Sequence, residues 1–276
     1  MNHISSSASG LPGIDRRQFI GASAKAAALG LAVGPFAAST RVLGANARLG
    51  VGFIGVGGRG RNHLDTVIGM INQGENLQVV GISDTYGPRM RAAAEHAKAK
   101  TYPTYRDLLA DPAIDLVCIA SPDRLHVPQA LDAIRAGKDV YCEKPMGHWS
   151  QFELSKRFYQ ETQRLKRVVQ IGNQGNSNVA WAKVAELIQQ GAIGRPQLVQ
   201  AGYYRYGDWG ERMPISDPNA KPGPDLDWNE FLGDAPKVPF TVDRFFSWRK
   251  YLDYAGGPCT DLDRKSTRLN SSHRIR

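Results

Sequence analysis

The 276-residue sequence predicts an α/β fold: a doubly wound, mainly parallel sheet followed by a second, incomplete open-sheet α/β domain. Three observations carry this expectation. Short buried apolar runs alternate with helix-length segments from residue 49 to about 164. A glycine-rich turn separates the first run from its helix. From about residue 168 the alternation gives way to aromatic sequence and a Pro/Asp/Gly-rich tract. Strands alternating with helices imply parallel strands joined by right-handed crossovers.

Taken in order, Leu49–Ile54 reads as a buried strand, followed directly by Gly55-Val56-Gly57-Gly58-Arg59-Gly60 and a helix to about residue 72. A second strand spans 77–82 and ends at Ser83-Asp84. Helices are expected over 90–99 and 105–109, a strand over 114–120, a helix over 127–136, a strand over 139–142 and a helix over 151–164. Beyond the boundary, placed near 170, a helix over 180–190, a strand over 198–206 and a loop-like tract over 207–240 are expected. No internal repeat is evident. The expected organisation is a leader at 1–47, a dinucleotide-binding domain at 48–170, a partial substrate and oligomerisation domain at 171–262, and a tail at 263–276.

The charge balance excludes a nucleic-acid partner for the folded body. The chain has 35 Lys and Arg against 26 Asp and Glu, a net charge of +9. Residues 1–48 hold five basic residues and one acid, and 264–276 hold five and none, so 49–263 carries 25 of each sign. Basicity confined to the ends gives the body no phosphate-attracting field. A 42% hydrophobic content can fill a core, which excludes collagen, coiled coil and wholesale disorder. Cys118, Cys142 and Cys259 are odd in number and lack CxxC spacing, so neither a disulfide framework nor a metal site is expected. Cys118 lies in an apolar run and reads as core.

The two ends read differently from the body. Asp15-Arg16-Arg17-Gln18-Phe19-Ile20 precedes an uncharged Ala/Gly-rich stretch, 26–33, far short of the ~20 residues of a membrane span. A charged segment before a short apolar one is an export pattern, and paired arginines point to the twin-arginine translocase and a periplasmic destination. An amphipathic helix with two surface arginines is the alternative. At the other end, 264–276 keeps no core-facing period. Lys265-Ser-Thr-Arg-Leu-Asn-Ser-Ser-His273 resembles translated adapter sequence, so a non-native tail and a break near Leu262 are expected, with a genuine basic tail as the alternative.

Chemistry begins at the glycine turn. Between a strand and a helix, Gly55, Gly57 and Gly60 form the G-x-G-x-x-G pattern of a Rossmann-type dinucleotide site. Gly55 permits the tight turn, Gly57 lets the backbone approach a pyrophosphate, and Gly60 allows close helix packing. Gly58 and Arg59 complete the loop, and the phosphates would sit at the helix N-terminus, where amides and helix dipole favour anions. Asp84 lies 24 residues after Gly60, placed to accept hydrogen bonds from the adenosine ribose. A 2′-phosphate would be repelled there, so NAD is favoured over NADP, while Arg89 and Arg91 soften the preference.

Two further turns follow strands. Ser121-Pro122-Asp123-Arg124-Leu125-His126 comes after the strand at 114–120, where Pro122 ends the ladder and sends the chain over the crevice. His126 either borders the nicotinamide or starts a helix with no chemical role. Glu143-Lys144-Pro145 follows the strand at 139–142. A lysine brought onto a cofactor crevice can hydrogen-bond a substrate hydroxyl and stabilise the charge left as its proton departs. On position alone, a salt-bridged surface lysine is the favoured reading.

Together, Gly55-x-Gly57-x-x-Gly60, Asp84, Tyr105-Arg-Asp-Leu-Leu, the Pro122 to His126 spacing and Gly137-Lys-Asp-Val-Tyr-Cys-Glu143-Lys144-Pro145 resemble the glucose-fructose oxidoreductase, inositol dehydrogenase and rhizopine-catabolism (Gfo/Idh/MocA) family. Gln174-Gly175, Glu186-Leu-Ile and Gly191-Ala-Ile-Gly194 resemble the opening of its second domain, so the likeness covers about 49–262. The resemblance implies a Rossmann domain plus an open-sheet domain that builds a sugar or polyol pocket and a homo-oligomer interface in the full-length parent. It implies NAD bound by the glycine loop, Asp84, Ser121, Pro122, His126, Glu143 and Lys144, with Lys144 catalytic beside the nicotinamide. It also implies an Asp-x-x-x-His motif, which Asp261 opens by contacting substrate. The general-base histidine expected four residues on is Lys265, and a protonated lysine does not replace it.

The expected activity is therefore NAD(P)-dependent hydride transfer to or from a sugar or polyol, impaired in the chain as written. An NAD-dependent glycosidase of the same superfamily and a non-catalytic NAD-binding protein are the alternatives. Tyr203, Tyr204, Tyr206, Trp209, Trp228 and Trp248 could stack on a sugar, but aromatics at that density also pack cores.

Overall fold

The computed structural model of the protein describes residues 48–173, 177–198, 214–257 and 260. Its strands are β1 (Leu49–Ile54), β2 (Leu77–Ser83), β3 (Lys100–Thr101), β4 (Leu116–Ile119), β5 (Asp139–Glu143) and β6 (Val169–Gly172). They form one sheet in the order β3-β2-β1-β4-β5-β6, every neighbouring pair parallel. The chain thus winds outward from β1 on one side and returns to start again at β4 on the other.

Helices α1 (Gly58–Asn72), α2 (Gly87–Ala97), α3 (Tyr105–Ala110), α4 (Asp123–Arg135) and α5 (Phe152–Leu165) cover both faces. Val51 and Phe53 pack with Leu64 of α1 and Ala93 and Ala94 of α2. Ile54, Val117 and Ile119 pack with Leu108 and Leu109 of α3, Val127 and Leu131 of α4 and Phe158 of α5. Alternate strand residues therefore face opposite apolar layers, which is why these strands read as continuous apolar runs. Cys118 is buried within the first of these layers.

Local signals set several boundaries. The Thr104 hydroxyl and the Asp107 side chain form a reciprocal capping box that starts α3. Pro88 lies in the first turn of α2, which begins at Gly87, three residues before the expected start. α4 begins at Asp123, immediately after Pro122, rather than at 127. The expected boundary at 170 falls inside β6, whose last residue pairs with Glu143.

Beyond β6, α6 (Val179–Gln189) has no buried residue. The strand expected over 198–206 lies outside the described residues except Leu198, which is exposed and in no regular element. The tract expected to be loop-like over 207–240 contains α7 (Trp228–Leu232), capped by Asp227, and α8 (Val242–Phe246) follows, capped by Thr241. These short helices gather an aromatic core of their own. The Trp228 ring stacks on Phe231 at 5.1 Å, with Phe245 and Tyr254 packed around them. Trp228 and Trp248 are thus packed within this core, and the sugar-stacking option is not needed to explain Trp228. Burial of several aromatic rings at 150–250 Å² each supplies a compact core from few residues.

This segment attaches to the sheet's carboxyl edge. The Asp227 N–H donates to Thr85 O (2.9 Å), the Gly87 N–H to Asp225 O (2.8 Å) and the Tyr86 hydroxyl to Asp217 (2.8 Å). Arg124 Nε donates to Asp234 Oδ1 (2.8 Å), and His148 Nε2 to Leu252 O (2.8 Å).

Candidate functional site

The crevice forms where the winding reverses. β1 and β4 lie side by side with Ile54 opposite Ile119, but α1 and α4 leave them on opposite faces, so the turns diverge and open a groove. Gly55 takes φ 80° and its N–H donates to Ser83 O (2.9 Å). A Cβ at Gly55 would stand 2.8 Å from the Ser121 nitrogen, and one at Gly60 would collide with the Gly55 carbonyl. Only glycine satisfies both positions.

Gly57 caps α1 without a side-chain hydrogen bond, and the first turn of α1 holds no acid. Its leading amides are therefore presented to the groove without a capping side chain, the arrangement that receives a phosphate. The groove widens into a cavity of about 800 Å³, within the range of ligand pockets. Gly55, Gly57, Gly58 and Arg59 border it from the first turn, Ser121, Pro122 and His126 from the second, and Asp84, Glu143 and Lys144 from the ends of β2 and β5. Gly60 sits behind the loop rather than on the wall. Asp261, like Cys259, Lys265 and His273, lies outside the described residues.

Each side chain has a definite setting. Asp84 accepts from the Val56 and Tyr86 amides at 2.8 and 2.9 Å and from Arg89 through both carboxylate oxygens at 3.0 and 2.8 Å. The Ser121 hydroxyl donates to Gln129 Oε1 (2.6 Å), and Pro122 is the N-cap of α4. His126 is 1% exposed, its ring nitrogens 2.7 Å from Pro145 O and 2.8 Å from Ser121 O, so it ties the two turns together. Burial pushes its pKa down against those carbonyls, which favour the charged ring.

Glu143 accepts from Arg59 Nε (3.0 Å) and pairs with His63 Nε2 (2.7 Å). Burial raises its pKa, but the His63 and Arg59 contacts outweigh that and hold the carboxyl below its usual range. The Lys144 N–H donates to Glu143 Oε2 (3.3 Å), so the same carboxylate braces the backbone that carries the half-buried lysine. Cys142, behind this turn, is fully buried, and burial pushes its thiol up, away from nucleophilic chemistry.

Of the opposite wall, made by Phe231, Phe245, Phe246, Trp248 and Arg249, sequence reasoning named only Trp248, as a ring that could stack on a sugar. It also missed His63, and it did not anticipate that Arg89 grips Asp84. The wall residues lie in short helices with no usable period, and His63 meets Glu143 only after folding. Among the described residues no cluster of His, Cys, Asp and Glu could hold a metal ion, and no helix is long and apolar enough to cross a membrane.

A glycine cradle, an open helix N-terminus and a ribose-side carboxylate at the switch point of a parallel sheet define a dinucleotide-binding Rossmann domain. Residues 49–173 match the family model described as "Oxidoreductase family, NAD-binding Rossmann fold" (GFO_IDH_MocA), in keeping with an NAD-binding Rossmann domain over this segment. Inositol 2-dehydrogenase of Salmonella typhimurium is 29% identical over 158 residues, covering 56% of this chain and 46% of the relative. Inositol 2-dehydrogenase 3 of Saccharopolyspora erythraea is 31% identical over 149 residues, covering 54% and 43%. The chain thus spans about half the length of these curated relatives. Among solved structures, the WlbA dehydrogenase of Chromobacterium violaceum, in complex with NADH and UDP-GlcNAcA, shares the fold. It aligns with TM-score 0.50 at 21% identity over 55% of this chain and 42% of that one.

Proposed function

We propose that the chain is a Gfo/Idh/MocA oxidoreductase that moves a hydride between NAD and a carbinol carbon of a sugar or polyol. The observation that carries this reading is Lys144 on the wall of the same cavity as Gly57 and Asp84, delivered there by the end of β5. The inositol 2-dehydrogenases among its relatives support a polyol.

The groove fits the cofactor: a Cβ at Gly57 would find only Arg89 within 4 Å, so the backbone there can be approached closely. The nicotinamide, when bound, supplies the hydride acceptor or donor. The Lys144 ammonium donates a hydrogen bond to the substrate hydroxyl and stabilises the charge that develops on its oxygen as the proton leaves. Glu143, held by Arg59 and His63, fixes the backbone from which Lys144 reaches. Trp248 and the phenylalanines of α8 exclude water from the far wall, strengthening these electrostatic contacts.

In this reading Asp261 positions substrate and Lys265 stands in the place of the general base, so the 276-residue chain binds NAD but turns over poorly. Arg16-Arg17 and the short apolar run after them support twin-arginine export to the periplasm, and a homo-oligomer belongs to the same reading. The test is calorimetric titration of the purified chain with NAD, followed by absorbance assays of NADH formation with inositols and sugars. NAD binding with little substrate-dependent NADH supports the reading. Absence of dinucleotide binding sinks it, and brisk turnover defeats the role given to position 265.

A further inference from the structure

We infer that the outer face of α5, with Trp149 in the turn just ahead of it, seats the protein on a bilayer surface bearing anionic lipid headgroups; this does not depend on the reading of the cavity. α5 turns Leu154, Phe158 and Leu165 inward to the core, so its inner stripe is already used. The opposite face of such a helix is ordinarily polar. Here Phe152 and Tyr159, seven residues apart on one face, are 69% and 66% exposed, and Trp149 is 59% exposed. The indole is also held in place: its Nε1 donates to Leu252 O (3.2 Å), and the His148 ring lies 5.2 Å from it. Exposed rings arrayed along one helix and the turn before it mark a surface that meets a partner.

The charge around the rings selects that partner. Residues 149–168 hold five basic residues, Lys156, Arg157, Arg164, Lys166 and Arg167, against Glu153 and Glu161, in a body that carries equal numbers of each sign. Glu161 is moreover engaged by Arg135 from α4 at 2.6 Å and by Arg157 at 2.8 Å. A second copy is disfavoured, because a two-fold interface would set these cations against their own images. A folded acidic protein fits less well, because protein interfaces deplete lysine at their centre, whereas Lys156 stands between Phe152 and Tyr159 with its Nζ 5.6 Å from the Phe152 ring. Rings interleaved with cations instead match the headgroup layer of a bilayer, where the rings reach the acyl boundary and Lys and Arg meet the phosphates. The 14 residues of α5 span about 21 Å, a length that lies along such a surface.

The experiment is co-sedimentation of the full chain with vesicles of phosphatidylcholine, alone or mixed equally with phosphatidylglycerol. It compares wild type, Phe152→Ser with Tyr159→Ser, and Lys156→Glu with Arg164→Glu. The basic ends, 1–48 and 264–276, are common to all three proteins, so they produce no difference between them. Wild type is expected to partition at least about tenfold more strongly onto the phosphatidylglycerol vesicles, and each double variant to lose at least about fivefold of that binding. Equal partition onto the two lipids, no partition, or variants that bind as wild type does overturns the inference. Tighter binding to soluble polyglutamate than to the vesicles also overturns it, in favour of an acidic protein partner. Should a variant fail to fold, quenching of tryptophan emission by bromine-labelled phosphatidylglycerol vesicles decides. Quenching that largely disappears in Trp149→Phe supports docking through this face, and quenching unchanged by that substitution overturns it.

Discussion

His63 Nε2 lies 2.7 Å from Glu143 Oε1, joining the helix of the glycine turn to the residue before Lys144 across 80 positions of sequence. Glu143 is 5% exposed, so removing this partner leaves a buried carboxylate with less compensation. His63→Ala is expected to cost about 1–3 kcal/mol of stability, with His63→Gln recovering part of it. Urea denaturation of the three proteins checks this; an unchanged midpoint for His63→Ala would show that Arg59 suffices alone.

Two glycines of the loop, Gly58 and Gly60, should respond oppositely to a methyl group. At Gly60 a Cβ collides with the Gly55 carbonyl, so Gly60→Ala is expected to displace α1 and abolish NAD binding. At Gly58 nothing lies within 4 Å, and Gly58→Ala should stabilise α1 by about 0.5–1 kcal/mol. Thermal melts and NAD titration of both variants separate the two behaviours.

His148 makes stability depend on pH. Burial lowers its pKa from 6.5, with Arg124 adding to the effect and Leu252 O, Asp234 and Asp253 opposing it. A ring whose folded pKa is depressed contributes stability above its unfolded value, and that contribution is lost as pH falls through the folded value. Wild-type stability should therefore decline below about pH 6.5 more steeply than that of His148→Gln. Parallel denaturant curves from the two proteins over that interval would refute the assignment.

Lys144→Met is expected to leave NAD affinity within about threefold of wild type, because the glycine cradle and the α1 amides do the holding. Whatever substrate-dependent NADH formation the chain supports should fall by about 10²–10³-fold, the usual worth of one donor aimed at a developing charge. If binding and turnover drop together, Lys144 serves the cofactor rather than the substrate.

How much of this was legible in the sequence varied with the physics of each part. β1, β4 and the last four residues of β2 are buried on both faces and announce themselves as apolar runs, while β5 fully buries only Val140, Cys142 and Glu143. β3 is two exposed residues, Lys100 and Thr101, and β6 has only Gly172 fully buried, so neither edge leaves such a trace. The glycine turn, Asp84 and Lys144 could be read because strand–turn–helix order fixes their places. The aromatic wall could not, since α7 and α8 are five residues each and draw their stability from one another's rings rather than from a repeating stripe. Asp84 shows the opposite limit: its position was readable, but the guanidinium laid across it was not.

The backbone bond from Asp227 to Thr85 places the neighbour of Trp228 directly against the residue that follows Asp84. Displacement of that turn by an arriving ligand would be passed along the main chain into the stacked indole, whose Nε1 is held 2.9 Å from Val238 O. The molecule thereby carries an intrinsic fluorophore one residue away from the rim of its own groove, and a change in indole emission during titration is the expected optical sign of occupancy.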